Sequence, residues 1–201
     1  MTARTALTAM LDLDPAVRRL ADLLSAIPDE RLTAPTPCSQ YTLGDLLDHV
    51  GGLSLAFTNA ARKVGENPPA PPGDASRLDA DWRTRIPEQL SGLAEAWRDP
   101  AAWEGMTEVG GVTMPAGMIG RVALNELTVH GWDIARATGQ PFTADIRTLE
   151  GCRDFVEPMA APGQGPARQG VFGTPVDISP DAPLLDRVVA MTGRDPAWVA
   201  A

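Results

Sequence analysis

Only two histidines occur in the chain, and both fall within apolar stretches of helical period. His49 has Leu46 three residues before it, Leu53 four after and Ala56 seven after, which is the spacing of one helix face. His130 has Glu126 one turn before it. Residues four apart on a helix have Cβ atoms about 5–6 Å from one another, so Glu126 and His130 can turn toward a single ion. Met118, Val122 and Ala137 share their stripe, which therefore faces a core. Two helices could in this way bring two imidazoles and a carboxylate to one point. Zinc accepts such nitrogen and oxygen ligands at about 2.0–2.2 Å, and three protein ligands leave a position for water or substrate. Facing helices of a bundle build metal sites by the same logic. The competing role is packing: Glu126 could simply be the hydrogen-bond partner of a core His130. The Glu-x-x-x-His spacing is common, so on residues alone both readings stand.

The neighbours divide between support and scaffold. Asp45, four residues before His49, could accept the second ring proton of that histidine and fix its tautomer. It could equally close a capping box with Thr42. Asp133, three residues after His130, could touch an ion or its water, or pair with Arg136 or Arg121. Cys38 is expected to be a small buried group rather than a reactive one, and Cys152 to be structural. Two cysteines make no disulfide framework, and the expectation is reduced thiols in a cytoplasmic protein. Trp132 is expected to pack.

These residues need long helices to hold them. The period predicts a first helix over about Thr5–Ala26, with Met10, Leu13, Val17, Leu20, Leu23 and Leu24 as its apolar stripe. Pro28 and Pro35–Pro37 keep the next stretch extended. Thr42 to Asp45 opens a second helix that runs to about Val64. A proline-rich loop, Gly65–Ser76, follows. A third helix spans about Asp79–Arg98, with Pro87 expected to bend it or delay its start. Asp99–Thr113 is irregular, with a short hairpin turning at Gly110-Gly111. The fourth helix starts near Pro115 and stops at Gly139. It is apolar on nearly every side, as a buried helix is. Beyond it lie a helix over about Asp145–Met159, a Gly/Pro loop at Pro162–Gly170 and a last helix over about Ala182–Thr192. Val171–Ile178 is the best strand candidate. The architecture expected is an all-α, up-down four-helix bundle over about 1–140, with a helical C-terminal extension, 141–201, packed on it as one domain.

Composition removes other classes. The chain has 201 residues, a net charge of −9 and 44% hydrophobic residues, enough to bury a large core without a disulfide or structural metal. Its acidity argues against nucleic acid and against anionic membrane. No apolar run reaches the roughly 18 residues of a membrane helix, and no basic-then-apolar leader opens the sequence. Sixteen arginines stand against one lysine, Lys63, which reflects a GC-rich genome rather than chemistry.

Two segments carry a family resemblance. Thr36-Pro37-Cys38-Ser39-Gln40-Tyr41-Thr42-Leu43-Gly44-Asp45-Leu46-Leu47-Asp48-His49-Val50 resembles the entry into the second helix of the mycothiol-dependent maleylpyruvate isomerase and DinB-like family. Asn125-Glu126-Leu127-Thr128-Val129-His130-Gly131-Trp132-Asp133-Ile134-Ala135-Arg136-Ala137-Thr138-Gly139 is similar to its second metal segment. The stretch from Phe172-Gly173 to Gly193-Arg194-Asp195-Pro196 is similar to the C-terminal signature of an actinobacterial subgroup. The resemblance implies a DinB-like four-helix bundle holding a divalent metal, usually zinc, through His49, Glu126 and His130. The isomerases of this family carry a further C-terminal domain with a catalytic arginine, and this chain is expected to be too short for an equivalent.

Two functions follow from different classes. In the first, a metal-bound low-molecular-weight thiol of the mycothiol type becomes a thiolate and attacks a small electrophile, giving transfer, conjugation or isomerisation. In the second, the bundle binds a metal or small molecule without catalysis. Two imidazoles and a carboxylate could also take nickel, iron, manganese or cobalt. An exposed apolar helix face could support a homodimer.

Overall fold

A computed structural model describes residues 10–165 and 171–200. Six α-helices are present among them: α1 Asp14–Leu24, α2 Leu43–Arg62, α3 Trp82–Trp97, α4 Ala116–Thr138, α5 Ile146–Ala160 and α6 Leu184–Met191. The first four form the bundle. Helix α1 packs on α3 and α4, and α2 packs on the same two from the other side. The core between them is made of Leu20, Leu24, Leu46, Leu47, Ile86, Leu90 and their neighbours, all fully enclosed. No helix is long and apolar enough to cross a membrane among the described residues.

Helix α1 begins later than its period suggests. Pro15 sits in its first turn, where a missing N–H costs nothing, and Met10, placed on the apolar stripe by spacing, is 53% exposed. Residues 5–9 of that expected helix lie outside the described residues. Helix α3 also starts late, at Trp82, and Pro87 sits inside it near the N-terminal end. Helix α2 opens as its sequence dictates. The Thr42 hydroxyl accepts from the Asp45 N–H while the Asp45 carboxylate accepts from the Thr42 N–H, closing the capping box.

Between α3 and α4 a two-stranded hairpin forms, β1 Met106–Val109 against β2 Val112–Pro115, antiparallel with Val109 opposite Val112. Its turn is Gly110-Gly111, both at positive φ (60° and 75°), the geometry that a two-residue hairpin turn requires and that glycine adopts without penalty. Val171–Ile178 forms no strand. Pro175 removes a ladder donor, and the Val176 N–H donates to the Ala190 carbonyl instead. Residues 166–170 of the expected Gly/Pro loop fall outside the described residues.

Helix α4 is buried along nearly its whole length. One face meets α1 and α2; the other is covered by α5, and α6 packs on α5. A close approach is built in at Gly120, where a Cβ would stand 2.6 Å from the Trp103 ring. Trp103 and Trp97 meet edge to face there, with ring centroids 4.9 Å apart. Their indole N–H groups donate to the Trp97 and Phe57 carbonyls, so both polar handles are satisfied inside the core.

Candidate metal centre

The site is built where the N-terminal half of α2 faces the middle of α4. His49 of α2 presents its ring edge-on to His130 of α4, with centroids 5.2 Å apart and planes at 88°. Tyr41 packs on the other side of His49 at 5.2 Å, and its hydroxyl accepts from the Gly73 N–H. Glu126 stands between the imidazoles. Its Oε2 is 3.0 Å from His130 Nε2 and 4.0 Å from His49 Nε2. One ligand atom from each of the three lies within 4.8 Å of the others.

Behind His130 the arrangement continues. Its Nδ1 is 2.9 Å from Asp133 Oδ2, and Asp133 has no exposed surface. Asp133 does not pair with Arg136 or Arg121, as the spacing within the helix suggested. It pairs with Arg194 from the C-terminal segment, through Arg194 Nε to Oδ1 at 3.3 Å and Nη2 to Oδ2 at 3.0 Å. Asp45 likewise differs from the role of a His49 partner. Its carboxylate is taken up by the Thr42 N–H and hydroxyl and by the Ala75 N–H, so it serves the helix cap.

Charge follows from these contacts. Burial, and after it the charge of His130, drives the His49 imidazole down to about 4. Burial works against charge on His130 too. Its bonds to Asp133 and Glu126 outweigh that and raise it to about 9. Burial would raise the Glu126 carboxyl, but His130, and then His49, hold it below the usual carboxylate range. Arg194 would be lowered by burial; Asp133 against it keeps it above its ordinary value.

A cavity of about 540 Å³ opens over the cluster. Leu53, Phe57, Val122 and Val129 give it an apolar wall, while Gln40, Asn125 and Arg194 give it polar points. Cys38 lines it as well, half-buried, and burial pushes its thiol up to about 11, so it stands protonated at neutral pH. Cys152 is fully buried and unbridged, and Trp132 is packed inside.

The donor set fits a divalent ion. Two imidazole nitrogens and a carboxylate oxygen already converge, and the Nδ1 contact to Asp133 turns His130 Nε2 toward the cluster, as outer carboxylates do in histidine metal sites. Cys38, His130 and Asp133 form a second group with ligand atoms within 4.8 Å. It is the weaker set, because Asp133 is committed to Arg194 and the Cys38 thiol resists ionisation.

Arg194 is the residue that spacing did not single out. It is one of sixteen arginines, 61 residues from its partner in the chain. The signal available was its place in the Gly193-Arg194-Asp195-Pro196 signature. Arg194 lines the cavity from the C-terminal segment.

Residues 13–135 match the family described as the mycothiol maleylpyruvate isomerase N-terminal domain. The chain is similar to two proteins of Mycobacterium tuberculosis, "Uncharacterized protein MT0763" (strain CDC 1551 / Oshkosh) and "Uncharacterized protein Rv0738" (strain H37Rv). Each is 29% identical over 180 residues, covering 87% of this chain and 91% of the relative. Among solved structures it is similar to the crystal structure of the mycothiol-dependent maleylpyruvate isomerase and to that of a histidine-to-alanine variant. The TM-score is 0.57 at 19% identity, over 78% of this chain and 70% of the other. That likeness establishes the fold, the all-α DinB-like bundle that the two helical segments implied. Since the matched residues span more than half of its length, this chain belongs to the mycothiol maleylpyruvate isomerase N-terminal domain family.

Proposed function

We propose that this protein is a divalent-metal-dependent enzyme that uses a low-molecular-weight thiol of the mycothiol type to act on a small electrophile. The observation that carries the reading is the convergence of His49, Glu126 and His130 at the edge of a cavity large enough for small molecules. His49, Glu126 and His130 would hold the ion, zinc being the first expectation. An ion with three protein ligands and one open position lowers the pKa of a thiol bound there and raises its thiolate population at neutral pH.

The chain's own residues supply the rest. Asp133 meets His130 Nδ1 and is itself paired with Arg194, and Tyr41 packs against His49. Leu53, Phe57, Val122 and Val129 exclude water from one side of the cavity, which strengthens electrostatics inside it. In an isomerisation the thiolate would add to one carbon of an electrophilic C=C, turning it into a single bond with the electron pair held as an enolate. Rotation about that bond and expulsion of the same thiolate would re-form C=C in the other geometry and return the thiolate. In a conjugation the adduct would instead take a proton and leave.

The family and the solved relative make mycothiol and maleylpyruvate the first pair to test. Zinc-loaded protein incubated with both should convert maleylpyruvate only when the thiol is present, and a chelator should stop the conversion. A panel of small electrophiles extends the test to other substrates. Zinc bound without thiol-dependent turnover of any of them would make the protein a non-catalytic binder.

A further inference from the structure

We infer that Arg194 is a positioning residue for His130, acting through Asp133. The inference rests on reading His49, Glu126 and His130 as a metal site. Asp133 lies on the most enclosed helix with no exposed surface. A carboxylate in such a place must be paired and hydrogen-bonded or it gives up its charge. Arg194 meets both of its oxygens, at 3.3 Å and 3.0 Å, in the fork geometry that only a guanidinium offers. That grip fixes the plane of the carboxylate, and with it the direction from which Oδ2 can accept the His130 Nδ1 proton at 2.9 Å. A proton held on Nδ1 leaves Nε2 as the coordinating nitrogen, and Nε2 is the atom 3.0 Å from Glu126.

Arg194 is itself firmly seated. Its backbone N–H donates to the Val189 carbonyl at 3.1 Å and its Nη1 to the Thr192 carbonyl at 3.2 Å. Only 11% of its side chain is exposed. The same segment has a second tie to α4 that bypasses Asp133: Arg136 Nη2 donates to the Pro196 carbonyl at 2.7 Å. The two ties allow an experiment that separates orientation of His130 from docking of the segment.

Arg194→Met, Arg194→Lys and Arg136→Met would be compared with the unaltered protein in zinc affinity, by competition with a chromophoric chelator. The hydrogen-bonded Nδ1 proton of His130 would be followed by ¹⁵N-imidazole NMR without added metal. Arg194→Met should weaken zinc binding about tenfold or more, the usual cost of losing an outer partner, and lose the Nδ1 proton signal. Arg194→Lys, which keeps the charge without the fork, should recover part of both. Arg136→Met should bind zinc as the unaltered protein does. Arg194→Met with unchanged affinity and an unchanged Nδ1 signal would overturn the inference. So would Arg136→Met weakening zinc as much, since docking would then be the cause. Should Arg194→Met fail to fold, Arg194→Lys decides: a weakened affinity and a shifted signal support the inference, and no change in either overturns it. If the unaltered protein binds no zinc, the proposed function fails, and the Nδ1 signal alone judges Arg194.

Discussion

His130 and Asp133 are joined inside the protein by a 2.9 Å contact from Nδ1 to Oδ2, and Arg194 closes on the same carboxylate from a segment 61 residues away. The contact ties the ring of one helix residue to an ion pair that has almost no access to water. Removing the carboxylate strands the guanidinium and frees the ring. Asp133→Ala should therefore lose about 3–5 kcal/mol of stability, the cost of breaking a buried pair from one side. Chemical denaturation with circular dichroism checks it, and a loss below about 1 kcal/mol would mean that water reaches Arg194 in the variant.

Removing His130 separates site from scaffold. His130→Ala should lose metal binding and any thiol-dependent turnover while keeping most of its helical signal, because the apolar core is large enough to hold the fold without an ion. A few kcal/mol should still be lost, since the variant leaves a cavity and strips Glu126 of its nearest partner. Cooperative unfolding of the variant at room temperature would instead make this site a structural staple.

Gly120→Ala tests the packing of α4. The added methyl would stand 2.6 Å from the Trp103 ring and 2.9 Å from Trp97, both wedged in the core. Overpacking of this kind costs about 1–3 kcal/mol. A lowered thermal midpoint with a quenched or shifted tryptophan emission is expected; an unchanged midpoint would contradict the close approach.

Asp145, the N-cap of α5, gives a pH dependence away from the metal centre. Burial would raise its carboxyl, but bonds from the Thr148 hydroxyl and N–H hold it below the ordinary value of 3.8. A carboxyl lowered by folding contributes stability above its unfolded value, and that contribution is lost as the pH falls through the folded value. Because Asp145 is exposed, the cap is worth about 1 kcal/mol or less. Asp145→Ala should be less stable by that amount at pH 7, and the gap should close in acid below about pH 4. A gap that persists unchanged at pH 2 would contradict the assignment.

We expect residues 141–201 to belong to the same folded unit as the bundle. Helix α5 packs on α4, and Arg136 and Arg194 tie the last segment to it. Limited proteolysis should release no independently folded C-terminal piece; a stable fragment would divide the chain in two.

Much of the site could be read from local spacing. Glu126 and His130 are one helical turn apart, the Thr42–Asp45 cap marks where α2 begins, and the apolar spacing around His49, with Leu46 and Val50 buried, marks the inward side of that helix. What spacing could not supply was the partner of Asp133. A helix period relates residues within about one turn of each other, whereas Arg194 arrives from a separate segment after a chain reversal. Met10 departs from its expected place for a different reason: an apolar residue in phase with a helix is buried only if the helix reaches it, and α1 starts after it, with Pro15 in its first turn. Val171–Ile178 has the β-branched content of a strand, but its Pro175 and its pairing with the end of α6 decide otherwise.

Calorimetric titration of the protein with zinc, alongside His49→Ala, tests the central claim most directly, because His49 comes from a different helix than the other two donors. The account predicts one zinc per chain and a loss of that binding in His49→Ala with the fold retained by circular dichroism. A full equivalent bound unchanged by His49→Ala, or no saturable binding in the unaltered protein, would contradict it.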